Sequence, residues 1–192
     1  MLLVDNIFNY DNTFYDNIIL PDYLQTKYDL LKFKDHKKML KLSFSLKNKL
    51  AKLLCLDNYT LDYNDYGKPY IKSNNITYNF SISHHDNTIV LYYNDNKNVG
   101  IDALNIDKVK LSSFKCDHFS YYEQKYCTTL ENFCKMWLIK EAYSKMIGTG
   151  LIEELKFTNF VPFLEGKIHS DISIRFLKIK NLKVCICESI IS

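Results

Sequence analysis

The sequence predicts an α+β fold in which each half of the chain contains both helix and sheet. Three observations carry that expectation. Apolar residues recur at helical intervals through a stretch free of glycine and proline, from about residue 29 to residue 56. Residues 75–83 alternate apolar and polar side chains without a fault, as a half-buried strand should. The remaining patterns then follow in the order strands, helices, strands, with no linker of low complexity between them.

Taken from the amino terminus, Leu30, Leu31, Phe33, Met39, Leu42, Leu46, Leu50, Leu53 and Leu54 define one or two amphipathic helices. Tyr66-Gly67-Lys68-Pro69-Tyr70 is a turn leading into a strand. The alternating strand runs from Asn75 to Ser83, and His84-His85-Asp86-Asn87 reads as the turn after it. Thr88 to Tyr93 is a continuous apolar run suited to a more deeply buried strand. A polar turn leads to the short strand Val99-Gly100-Ile101-Asp102. Helices are expected near residues 120–130 and 131–147, the second stopped by Gly148-Thr149-Gly150. Strands at about 171–178 and 182–188 complete the chain.

With 192 residues, 47% hydrophobic and 15% aromatic, the chain can bury a core and is too apolar for general disorder. No apolar run approaches the ~18 residues of a spanning helix. The start, Met1-Leu2-Leu3-Val4-Asp5-Asn6, lacks a charged leader region, so the expectation is a soluble, cytoplasmic protein that does not engage a membrane. The six cysteines, Cys55, Cys116, Cys127, Cys134, Cys185 and Cys187, show no CxxC pair and no zinc-type spacing. They read as reduced, mostly buried thiols, with Cys185 and Cys187 on one face of a strand. The net charge of +3 hides a local excess, because nine lysines between Lys27 and Lys52 are offset only by Asp29 and Asp35. An anion could dock there, although a solvated helix face would look the same. No GxGxxG after a strand, GxxxxGK[ST] or GxSxG occurs, so Rossmann, P-loop and hydrolase-elbow readings lack support.

The segment from Phe133 to Leu151 is the most informative. On a wheel of about 100° per residue, Phe133, Met136, Tyr143 and Ile147 share an apolar face with Lys140 in its middle. A buried lysine is costly without a partner, so the position asks for an anion unless the side chain snorkels to solvent. Glu141 and Lys145 lie one turn apart, which would suit an ordinary ion pair worth ~0.3–0.5 kcal/mol. Asp102 ends a strand and offers a second carboxylate that the fold could bring to Glu141. Two carboxylates with waters and a phosphate oxygen suit Mg²⁺, and lysines on the same wall would suit a pyrophosphate. Ser83 and His84 supply a hydroxyl and an imidazole at a strand end, and a phosphate beside that imidazole would hold it charged.

In order, the chain carries Gly67-Lys68-Pro69, Phe80-Ser81-Ile82-Ser83-His84, Val99-Gly100-Ile101-Asp102, Phe119-Ser120-Tyr121-Tyr122-Glu123, and the run from Trp137 through Lys140, Glu141, Lys145, Gly148 and Gly150 to Leu151. This series resembles the motifs of the 4′-phosphopantetheinyl transferase superfamily, especially its longer surfactin-synthetase-activating type. The resemblance is densest over about residues 67–151. It implies an enzyme that moves the phosphopantetheine arm of coenzyme A onto a serine of an acyl or peptidyl carrier protein and releases adenosine 3′,5′-bisphosphate. Such carriers serve polyketide, nonribosomal-peptide or fatty-acid synthesis. By this resemblance Asp102 and Glu141 hold Mg²⁺, or alternatively Mn²⁺, on the pyrophosphate, and Glu141 also takes the serine proton. Lys145 and Lys140 neutralise the phosphates and leaving group, while Ser83 and His84 bind phosphate. Gly67, Lys68 and Pro69 line the adenine side. Lys38, three residues after Asp35, binds the 3′-phosphate, with Lys27, Lys32 and Lys37 as helpers. The nucleophile belongs to the carrier, so the chain needs no activated serine or cysteine of its own.

The family fold implies a pseudo-dimeric monomer of two similar halves, 1–95 and 96–192, with coenzyme A in the cleft between them. The chain departs from the pattern at Leu104, where longer members commonly carry a third acidic metal ligand. A two-carboxylate site completed by water is expected. Two rival readings stand beside this one: a catalytically silent relative that binds coenzyme A or a carrier, and a nucleic-acid module built on the lysine-rich helix. The second leaves the ordered motifs unexplained, and nucleic acid is not expected as a partner.

Overall fold

The structure, a computed structural model, describes residues 1–109, 117–167 and 171–190. The first half contains β1 (Leu2–Asn6), α1 (Asn12–Asp16), α2 (Asp22–Leu30), α3 (Lys34–Leu53), β2 (Thr60–Tyr63), β3 (Pro69–Ser73), β4 (Ile76–His85) and β5 (Thr88–Tyr93). The second contains β6 (Val99–Leu104), α4 (Tyr121–Tyr126), α5 (Leu130–Ile147), α6 (Val161–Leu164), β7 (Ile172–Ile179) and β8 (Leu182–Ser189). The fold is thus α+β, with antiparallel strands throughout both sheets.

The Gly- and Pro-free stretch forms two helices, as its spacing allows: the tail of α2 and the whole of α3, separated by extended backbone at Leu31 and Phe33. Two local outcomes differ from the sequence reading. β4 continues to His85, so His84 stands on a strand and the turn is reduced to Asp86 and Asn87. β1, which carries no alternating pattern, forms by pairing Leu2–Asn6 with β5 at the edge of the first sheet.

The first sheet has the order β1-β5-β4-β3-β2 and the second β6-β8-β7. Each has a helix on one face. Leu42, Leu46 and Leu50 of α3 pack on Ile71, Phe80, Ile89 and Leu91. Phe133, Met136, Ile139 and Ala142 of α5 pack with Cys185 and Cys187, which share one face of β8 as their spacing predicts. A third core joins the sheets, where Val90 and Tyr92 meet Val99, Ile101, Val184 and Ile186. β5 therefore buries both faces, which accounts for its unbroken apolar run. Cys134, Cys185 and Cys187 are buried, Cys127 is half-buried and Cys55 is exposed, while Cys116 lies outside the described residues. Among the described residues no helix is long and apolar enough to cross a membrane.

β6 is the element that both halves grip. Its Ile101 N–H donates to Ser81 Oγ on β4 at 3.0 Å. On its other side it lies so close to α5 that a methyl group on Gly100 would collide with the Ala142 carbonyl oxygen and the Met146 nitrogen. Backbone atoms in a packed helix cannot step aside cheaply. Gly100→Ala is therefore expected to destabilise the fold by about 1–3 kcal/mol, the ordinary cost of overpacking, read as a lowered urea midpoint.

Candidate active site

A cleft of about 1180 Å³ runs between the halves. One wall carries residues of α3, β3 and β4, and the other carries Asp102, Ala103 and Leu104 of β6 with Trp137, Glu141 and Lys145 of α5. A cavity of this size accommodates a nucleotide-sized ligand.

Asp102 lies at its centre, only 7% exposed. Its Oδ1 accepts hydrogen bonds from Ser83 Oγ at 2.7 Å and from Lys145 Nζ at 2.6 Å. Lys145 Nζ also lies 3.3 Å from Ser83 Oγ. A carboxylate this buried needs such partners, because an unpaired charge in the interior is costly. The lysine one turn beyond Glu141 is thus bonded across the cleft floor to another strand.

Glu141 is half-buried, and among the described residues its carboxylate has no hydrogen-bond or ion-pair partner. Burial pushes its pKa up, and the negative charge of Asp102 pushes it further, against the opposing pull of Lys145. Two carboxylates from different elements therefore repel one another at a site where one of them is unanswered. That donor set fits a hard divalent cation, which takes oxygen ligands and keeps several waters. Among the described residues no group of three or more His, Cys, Asp or Glu gathers for a metal, and Leu104, which lines the cleft, packs its side chain into the core of the second half.

The other predicted residues divide into those at the cleft and those elsewhere. Ser83 and His84 line it, and His84 is held below its ordinary pKa by the protein crowded around it and then by the charge of Lys145. Gly67, Lys68 and Pro69 also line it. The Lys68 ammonium is turned to the end of α5, donating to the Met146 carbonyl at 2.8 Å and to the Val99 carbonyl at 3.2 Å. Burial pushes its pKa down to about 8. Asn64 completes this clamp. Its Oδ1 accepts from the Lys68 and Tyr66 amides, and its Nδ2 donates to the Gly148 carbonyl at 2.8 Å. Gly148 ends α5 in the left-handed conformation, at φ 81°.

Two of the predicted residues lie away from the cleft. Lys140 does not reach the cleft. It is 0% exposed and pairs at 2.8 Å with Glu123, itself 0% exposed. It also donates to the carbonyls of Leu155 and Thr158 and lies over the Phe160 ring. The anion that its position demands is supplied from inside the chain. Glu123 in turn accepts from the Ser120 and Phe160 amides, which makes it the anchor of the Phe119-Ser120-Tyr121-Tyr122-Glu123 segment.

Lys38 also lies outside the cleft, with its ammonium 5.2 Å from the centre of the Tyr15 ring in a separate groove. The reason is helical geometry: His36 faces the cleft, and two residues further on, at about 100° each, α3 has turned away. The cleft stripe of α3 is His36, Leu40, Ser43 and Lys47. Lys47 was not singled out from the sequence, although this i, i+4, i+7, i+11 spacing would have located it. It is 7% exposed, and its Nζ donates to Tyr63 Oη at 3.2 Å. Burial and then the like charge of Lys27, which also lines the cleft, push its pKa down to about 8.

Residues 98–187, which include Asp102, Glu141 and Lys145, match the sequence model described as the 4′-phosphopantetheinyl transferase superfamily. The chain is also similar to the 4′-phosphopantetheinyl transferase gsp of Aneurinibacillus migulanus, at 30% identity over 103 residues. That overlap takes in 50% of this chain and 40% of the relative, so the match spans less than half of the relative's length.

Removing one member of the Lys140–Glu123 pair leaves a buried charge unanswered. Lys140→Met is expected to cost about 3–5 kcal/mol in urea unfolding, and adding Glu123→Gln should recover part of the loss by removing that charge.

Proposed function

Because residues 98–187 match the sequence model of the 4′-phosphopantetheinyl transferase superfamily, we propose that the chain transfers the phosphopantetheine arm of coenzyme A to a serine of an acyl or peptidyl carrier protein, releasing adenosine 3′,5′-bisphosphate. One observation carries this reading: Asp102 and Glu141 meet, with Lys145 and Ser83, on the wall of a cleft large enough for the nucleotide. Asp102 and Glu141 are the residues to hold Mg²⁺, which when bound stabilises negative charge on the diphosphate oxygens as a Lewis acid.

The chain's own groups account for the rest. Lys145 touches Asp102 and Ser83, where its charge opposes the negative charge that develops on the leaving phosphate. Glu141, on the cleft wall, is placed to accept the proton of the carrier's serine hydroxyl, directly or through water. His84, discouraged from protonation by its surroundings, gains a proton when a phosphate arrives to share it. On the opposite wall Lys27, His36 and Lys47 replace Lys38 as the anchor for the 3′-phosphate. The same reading takes the chain as a cytoplasmic monomer whose halves, 1–95 and 96–192, are related as a pseudo-dimer. Their separate helix-on-sheet cores support that relation. Leu104 favours the alternative, a silent relative that binds coenzyme A without transferring its arm.

Incubation with coenzyme A, Mg²⁺ and an apo-carrier separates the two, because transfer adds the mass of the arm to the carrier. Glu141→Gln and Asp102→Asn are each expected to abolish that addition while the circular dichroism spectrum is unchanged, and Lys145→Ala to slow it severely. Full transfer by either carboxylate variant overturns the assignment.

The two walls can be tested against one another. Lys47→Ala should raise the KM for coenzyme A about ten- to a hundredfold, the loss of one charge-assisted contact, with less effect for the analogue lacking the 3′-phosphate. Lys38→Ala should leave that KM unchanged. The reverse result would restore Lys38 as the anchor.

A further inference from the structure

We propose that the Lys68 ammonium, helped by Asn64, is a positioning group for the transfer reaction and not a ligand of coenzyme A: it sets the spacing between β6 and α5, and so the place where Asp102 meets Glu141 and Lys145. The inference rests on the transferase reading and deepens it.

The turn before β3 is braced from within. The Asn64 N–H donates to the Lys68 carbonyl at 3.0 Å and the Gly67 N–H to the Asn64 carbonyl at 2.9 Å. Asn64 Oδ1 accepts the Tyr66 and Lys68 amides as well. From this base in the first half, two side chains reach into the second. Lys68 Nζ joins the Val99 carbonyl of β6, three residues before Asp102, to the Met146 carbonyl of α5, directly after Lys145. Asn64 Nδ2 takes the Gly148 carbonyl just past the helix. The last carbonyls of a helix lack partners within it and carry the negative end of its dipole, so a cation and an amide donor are suited to that end. The fit is close: a methyl group on Gly148 would come within 3.0 Å of Asn64 Nδ2 and 3.1 Å of Lys68 Cδ.

An ammonium is a costly way to join two elements. Burial opposes its charge, and apolar packing already unites the two sheets. Apolar packing is non-directional, however, whereas one nitrogen bonded to a strand carbonyl and a helix carbonyl fixes how those elements stand. That precision matters at the carboxylates, because a misplacement of about 1 Å can cost a hundredfold in rate. The strand and helix that carry Asp102 and Glu141 are the two that Lys68 ties.

Lys68→Met removes the tie at similar length, and Asn64→Ala removes the second contact by itself, so that one folded variant, judged by circular dichroism, suffices. In carrier-loading assays the expected result is a kcat lowered about ten- to a hundredfold with the KM for coenzyme A within about twofold of the unaltered chain. Lys68→Arg, which keeps charge and donors, should restore part of kcat. Without coenzyme A or carrier, Mn²⁺ affinity, read by electron paramagnetic resonance of the free ion, should weaken at least about tenfold in Lys68→Met and Asn64→Ala. A raised KM with kcat kept makes Lys68 a ligand and overturns the proposal, as does an unchanged kcat in the folded variants. If the unaltered chain loads no carrier, the transferase reading falls and the Mn²⁺ titration decides the proposal alone: equal affinity in all the chains, or none, overturns it.

Discussion

A carboxylate buried between two sheets has to be answered by hydrogen-bond donors, and Asp102 is answered from both sides at once. Ser83 reaches it from β4 and Lys145 from α5, so one oxygen atom ties the first sheet, the second sheet and the long helix together. The packing around it serves that meeting. Gly100 lets β6 touch α5, and Ser81 holds the neighbouring backbone of β6 against β4. Lys68 and Asn64 then fasten the end of α5 to the first half. Each of these contacts bears on where Glu141 sits relative to Asp102, and burial, followed by the charge of Asp102, is what raises the proton affinity of Glu141.

Two lysines five positions apart on α5 show how burial assigns roles. Lys145 is partly open and its charge is available at the cleft. Lys140 is enclosed, and Glu123, two carbonyls and an aromatic ring absorb its hydrogen-bonding capacity. A buried pair of this kind is weak evidence for net stability, since desolvation of both ions offsets much of their attraction. It does fix the position of α4 against α5, because Glu123 also binds backbone on either side.

Local patterns in the sequence were legible where one element settles its own outcome. The alternation in β4, the double burial of β5 and the glycine at the end of α5 each have a short-range cause. What escaped depends on distant partners. β1 is a strand because β5 lies beside it, and nothing in its five residues announces that pairing. Lys140 and Lys38 were drawn to the site by motif position, yet the direction in which a helix faces its neighbours is set by packing. The meeting of Asp102 with Glu141 was legible only through the resemblance to a family, since the chemistry of either residue alone is commonplace.

Lys47 carries a consequence of its own. Its folded pKa of about 8 lies below the ordinary 10.5, so the native chain gives up that hydrogen ion earlier than the denatured chain does. Between those two values stability therefore climbs as the solution becomes more alkaline, and at neutral pH the residue works against folding. A phosphate brought against the ammonium opposes that imbalance and, at and above about pH 8, where a large share of the side chains is neutral, draws hydrogen ions out of the medium. Capture of an anion at this wall is in that way linked to solution acidity, and the heat of association will include the ionisation heat of whatever buffer supplies the proton.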